Sequence, residues 1–117
     1  MDVLKIMSLA EFSSEKYVRV PIKNSSGLVR LLCFEPSQEV ALHKHSEADE
    51  IFYVVTGAAA FTKGNETIQL DAGSIVKAEA GMFHGWRNGS TRLVLFSVLI
   101  PLVSYNVADQ AARMEFA

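Results

Sequence analysis

The stretch Val40-Ala41-Leu42-His43-Lys44-His45-Ser46-Glu47-Ala48-Asp49-Glu50-Ile51-Phe52-Tyr53-Val54-Val55-Thr56-Gly57 decides the fold class. Its apolar positions follow the period of a strand, not that of a helix, on both sides of a polar break. Residues 40–45 and 50–56 therefore read as two strands joined by a turn. Side chains two apart in a strand leave the same face, so His43 and His45 project together. A strand–turn–strand connection sets Glu50, at the head of the second run, beside that pair.

Outward from this stretch the same alternation runs from about Tyr17 to Ile100. Further strands are expected at 17–23, 28–35, 58–62, 67–70, 74–78, 83–87 and 92–100. Turn residues separate them: Asn24-Ser25-Ser26-Gly27, Pro36-Ser37, Gly64-Asn65, Asp71-Ala72-Gly73 and Asn88-Gly89-Ser90. Short strands with turns about every ten residues imply an all-β sandwich or barrel, not a parallel α/β sheet. Only the ends differ. A helical turn is expected within 8–15, and a short C-terminal helix over 107–117, where Asp109 and Arg113 stand at i, i+4. The expected organisation is one domain over 1–117, with an N-terminal arm at 1–16 and a barrel core over about 17–103.

The chain has 117 residues, half of them hydrophobic, which suffices for one self-supporting core. A single cysteine, Cys33, excludes an intramolecular disulfide and any cysteine-based zinc ribbon. The net charge of −2 and the lack of a Lys/Arg run argue against a phosphate-neutralising grip on nucleic acid. Asp2 and Lys5 interrupt the N-terminal apolar positions, and Ser97 and Pro101 break the longest apolar run. No signal-peptide core or membrane span is expected, which makes a cytoplasmic address the default.

The remaining histidine, His84, lies after the turn-like Gly81 and opens another strand. If it converges with His43, His45 and Glu50, three imidazoles and one carboxylate make a site for a divalent transition metal. Burying that many ionisable groups in an apolar interior is costly without a cation to pair them. Imidazole and carboxylate suit Fe, Mn, Ni, Co or Zn without choosing among them.

At these residues the chain resembles the cupins. Their first motif, Gly-x5-His-x-His-x4-Glu-x6-Gly, is met by His43, His45, Glu50 and Gly57. Their second, Gly-x5-Pro-x-Gly-x2-His-x3-Asn, is met by Gly73, Gly81, His84 and Asn88. Ser37 stands where the first motif has Gly, and Glu79 where the second has Pro. The resemblance covers roughly residues 28–101. It implies a conical β-barrel of the jelly-roll, double-stranded β-helix type, holding the metal inside with one or two coordination positions open. Such positions accept a bidentate oxygen ligand, or a substrate together with O₂.

Alternation also places the expected pocket walls. Trp86 shares the inward face of its strand with His84, Phe52 and Val54 point inward, and Tyr53 outward. Arg30, Leu32 and Phe34 form one face of an earlier strand, with Leu31 and Cys33 on the other. Phe34, Phe52 and Trp86 are thus the candidate walls of an apolar cavity for a small-molecule ligand or substrate. Glu47, Asp49 and Glu79 are better read as solvated charges than as acid/base groups, with Lys63 or Lys77 available to pair Glu79. Met82 reads as a rim residue. Residues 93–100 are apolar on both faces, so something must cover the outer one. A homodimer, with 1–9 docking or exchanging, is the expectation, and a C-terminal helix folding back is the alternative. The function expected from the resemblance is metal-dependent chemistry on a small organic molecule, of dioxygenase or isomerase/lyase type. A non-catalytic small-molecule or metal sensor is the competing reading.

Overall fold

The computed structural model describes residues 3–22 and 28–101. A short helix, α1 (Ile6–Leu9), precedes β1 (Val18–Pro21), β2 (Val29–Phe34), β3 (Glu39–His43), β4 (Ala48–Thr56) and β5 (Ala58–Lys63). β6 (Glu66–Asp71), β7 (Ile75–Ala78), β8 (His84–Asn88) and β9 (Leu93–Pro101) follow. The strands form two antiparallel sheets, one of order β1-β2-β9-β4-β7 and the other β3-β8-β5-β6. Pairing of β2 with β9 and of β3 with β8 brings distant parts of the chain together, as a jelly-roll barrel requires. The expected all-β class and double-stranded β-helix are what the chain adopts.

Alternation sorts the side chains. On β4, Glu50, Phe52 and Val54 are buried between the sheets, while Tyr53 stays 40% exposed on the outer face. On β2, Leu32 and Phe34 join the inner core with Phe61, Trp86, Leu93 and Leu95. Leu31 and Cys33 face outward and are buried all the same, because Ile6, Leu9, Ala10 and Phe12 of the N-terminal arm pack over them. That cover accounts for part of the two-faced apolar character of β9, whose Val94 lies in the same outer cluster. Ile6 and Leu9 thus dock on their own barrel.

One helical expectation is corrected. The helix occupies Ile6–Leu9 and does not extend across 8–15, since Ala10 is already extended (φ −63°, ψ 134°). Tertiary contacts claim the chain beyond it: Gln38 Nε2 donates to the Ser13 carbonyl at 2.6 Å, and the Arg92 guanidinium lies 4.1 Å from the Phe12 ring centroid. The helix expected at 107–117 lies outside the described residues.

Two turns depend on backbone conformation. Gly57 takes φ +91°, and a Cβ there would overlap the Arg92 carbonyl, so only glycine fits between β4 and β5. Ser37 is the single described non-glycine residue with positive φ, at 67°. It occupies the motif position where glycine is the rule, which explains in steric terms what the glycine is for.

Candidate metal centre

His43 ends β3 and His84 begins β8, and the two are cross-strand partners after an irregularity between Val40 and His43. His45 follows in the connection to β4, and Glu50 faces the three rings from the opposite sheet. One candidate ligand atom from each of the four residues lies within 4.8 Å of the other three. Glu50 and His84 are both 1% exposed.

The ring orientations follow from local bonds. His43 Nδ1 lies 2.9 Å from the Ala41 carbonyl, and His84 Nδ1 lies 3.1 Å from the Met82 carbonyl. A carbonyl only accepts, so each Nδ1 carries the proton and each Nε2 of a neutral ring is left with a lone pair. His84 Nε2 is 3.3 Å and His45 Nε2 3.1 Å from Glu50 Oε1. A neutral His84 would set a lone pair against a carboxylate oxygen. A cation, either a proton or a metal ion, relieves that contact, so the donor set suits a divalent transition metal.

The two oxygens of Glu50 are used differently. Oε1 faces the histidines, whereas Oε2 accepts a hydrogen bond from Ser97 Oγ and one from Arg30 Nη2 at 3.4 Å. Burial alone raises a carboxyl, but contacts with His84 and Ser97 and the charge of Arg30 and His45 outweigh it and bring Glu50 to about 2. His45 moves below its ordinary value chiefly through burial, opposed by Glu50.

Beside the cluster lies a cavity of about 370 Å³, bordered by Tyr17, Arg19, Arg30, Leu32, Val40, Phe52, Trp86 and Leu99 as well as His43, His45 and Glu50. Phe52 and Trp86 border it, with ring centroids 5.3 Å apart. Phe34, expected on the wall, is corrected to a core position: it is fully buried and stacked on Tyr17 at 5.0 Å. Tyr17, immediately before β1, borders the cavity in its place. Among the described residues, two buried donors, Arg30 Nε and Trp86 Nε1, have no acceptor.

The unassigned charges sort into supports. Glu79 Oε1 accepts from Lys63 Nζ at 3.1 Å, and Lys63 also donates to the Lys77 carbonyl. Asp49 Oδ1 accepts the Ala80 amide at 2.8 Å, and the Gly81 amide donates to the His45 carbonyl. These bonds hold the turn whose Met82 carbonyl orients His84. Met82 itself is exposed, as are Glu47 and Tyr53. The sequence reading missed Ser97, Arg30 and Arg19 as site groups. The available signals were a hydroxyl inside the apolar run 93–100 and a guanidinium on the inward face of β2.

A family model described as the cupin domain matches residues 30–99. The chain is 30% identical over 80 residues to an oxalate-binding protein of Thermotoga maritima, covering 68% of this chain and 66% of that protein. An uncharacterized protein of Streptomyces coelicolor is 42% identical over 53 residues, 45% of this chain and 50% of that one. The chain therefore spans less than two thirds of the length of each of these relatives. Among solved structures, TT1209 of Thermus thermophilus superposes with a TM-score of 0.80 at 28% identity, covering 88% of this chain and all of that one. Matching motifs, two-sheet barrel and family model agree: the chain belongs to the cupin domain family.

Proposed function

We propose that His43, His45, Glu50 and His84 hold one divalent transition-metal ion, and that the chain acts on a small organic molecule in the adjoining cavity. The observation that carries this reading is the cluster of four ligand atoms within 4.8 Å of one another at the edge of that cavity. When bound, the ion supplies Lewis-acid polarisation, enolate stabilisation or oxygen activation, the chemistry of isomerase/lyase-type or dioxygenase-type reactions. The chain's own residues do the rest. The Ala41 and Met82 carbonyls aim two imidazoles, Ser97 and Arg30 hold the far oxygen of Glu50, and Leu32, Phe52, Trp86 and Leu99 exclude water from the ligand.

Binding without turnover is the second reading, favoured by two observations. The Thermotoga maritima relative is called an oxalate-binding protein. Besides Glu50, the only described carboxylate bordering the cavity is Glu39, which is exposed and 3.9 Å from Arg87. We further propose a homodimer of single-domain chains with a cytoplasmic address. Support for the dimer comes from Tyr53 and Ile75, cross-strand partners on the outer sheet face that are 40% and 58% exposed.

Elemental analysis of purified protein tests the site. Wild type is expected to carry near-stoichiometric metal that His43→Ala and His84→Ala lose, and equal metal in all three would refute it. Oxygen uptake by iron-loaded protein with catechols, flavonols, thiols and diketones separates oxygenase chemistry from binding alone.

A further inference from the structure

Charge is unbalanced at the floor of the cavity. Glu50 cancels one charge of a divalent ion, and Arg30, 3.4 Å from Glu50 Oε2, restores it. Glu50 Oε2 also accepts the Ser97 hydroxyl, so Arg30 shares that oxygen rather than holding it alone. Arg30 borders the cavity and its Nε–H is buried without an acceptor, and Trp86, another border residue, has its Nε1–H buried without one. Buried donors left unpaired are rare, and each calls for an explanation such as an acceptor from a water, an ion or a bound group. Arg19, also on the cavity border, has no ion-pair partner among the described residues. A second guanidinium on the border raises the local concentration of anions. Apart from Glu39, an exposed carboxylate 3.9 Å from Arg87, the remaining walls, among them Tyr17, Leu32, Phe52 and Leu99, are apolar or aromatic.

We propose that the ligand is a short-chain 2-oxo- or 2-hydroxycarboxylate with a small apolar body, whose anionic end rests on Arg30 while an oxygen end occupies the metal centre. This rests on the metal reading given above and adds the ligand class and a residue that selects it. Arg30 suits the task because its planar fork retains free donors beyond the one given to Glu50. Leu32 and Phe52 favour a ligand with an apolar side group over one that is polar throughout.

Calorimetric titration of zinc-loaded protein tests this, with metal content verified by elemental analysis in each sample. The probes are 3-methyl-2-oxobutanoate, its neutral amide and oxalate. The expected result is that the 2-oxo acid binds at least tenfold tighter than its amide, and tighter than oxalate, with binding lost on metal removal. Arg30→Met is expected to weaken the acid by roughly 10- to 100-fold and the amide little, as loss of a charged hydrogen bond does. Arg30→Lys, which keeps charge but not the fork, is expected to fall between. Equal affinity for acid and amide in wild type overturns the proposal, as does an unchanged acid-to-amide ratio in both Arg30 variants. Tighter binding of oxalate overturns the apolar body. Wild type that takes up no metal refutes the metal reading instead, which keeps the two failures apart.

Discussion

Ser97 on β9 donates its hydroxyl to Glu50 Oε2 on β4, both side chains essentially buried, and so leaves Oε1 alone facing His45 and His84. The two residues are 47 positions apart in the chain and meet because β4 and β9 lie side by side. The hydroxyl makes Glu50 a carboxylate with one oxygen committed to the protein and one available to a cation. Ser97→Ala is expected to lower metal affinity about 10- to 100-fold, as loss of a partner behind a ligand does. Competition against a chromophoric chelator measures it. Unchanged affinity would show that Arg30 alone orients Glu50.

Metal itself is expected to stabilise the fold. An ion that binds the folded chain only, at one hundred times its dissociation constant, adds about 2.7 kcal/mol. Thermal melts of chelator-treated wild type should therefore rise on adding Zn²⁺, and melts of His84→Ala should not. A rise of the same size in the variant would place the ion elsewhere.

Ser37 holds a positive φ of 67° that costs an L-residue energy and costs glycine almost none. Its amide donates to the Gly89 carbonyl at 2.9 Å, a bond that a side-chain change leaves intact. Ser37→Gly is expected to raise stability by about 0.5–1 kcal/mol, read as a higher urea midpoint at unchanged slope.

Gly57→Ala is expected to act in the opposite sense and more strongly. The new methyl would collide with backbone at Arg92, which no rotamer change relieves, and φ +91° adds strain. A loss of about 3 kcal/mol or more in urea unfolding, or failure to accumulate as folded protein, is the expected outcome. A loss below about 1 kcal/mol would mean that the turn can move.

Glu35 and Arg92 form a two-pronged surface pair, Nε to Oε1 at 2.8 Å and Nη2 to Oε2 at 3.3 Å. Hydrogen bonding to Arg92 holds the Glu35 carboxyl below its ordinary 4.5. A carboxyl lowered by folding contributes stability that is present above 4.5 and lost as pH falls through its folded value. Carbonyl-detected NMR titration should place Glu35 below 4.5, and Arg92→Gln should return it toward that value. No change on substitution would remove Arg92 as the cause.

How much of this was legible follows from the range of each signal. Alternation is a property of neighbours, and it located nine strands to within two residues at every boundary; the first, expected over 17–23 and found at Val18–Pro21, and the third, expected over 40–45 and found at Glu39–His43, departed furthest. The His43–His45 pair and Glu50 were readable because they stand close together in the chain, although the strand expected over 40–45 ends at His43 and His45 reaches the cluster from the connection to β4. His84 was readable only through its motif. Helix α1 was displaced because contacts to Gln38 and Arg92, remote in sequence, outweigh weak local propensity.

Alternation was enough to tell which residues face inward, since a strand alternates sides wherever it lies. It marked Phe34 as inward, yet only the stacking of Tyr17 from the entry to β1 decided that Phe34 belongs to the core and Tyr17 to the cavity border. The sequence contained Ser97 and Arg30 without indicating that both meet Glu50. That meeting depends on the register of β2 against β9 and of β9 against β4, where Arg30 pairs with Ser97 and Ser97 with Phe52. Register is set by packing across the whole sheet and has no local signature, so only the tertiary structure could decide which oxygen of Glu50 faces the histidines.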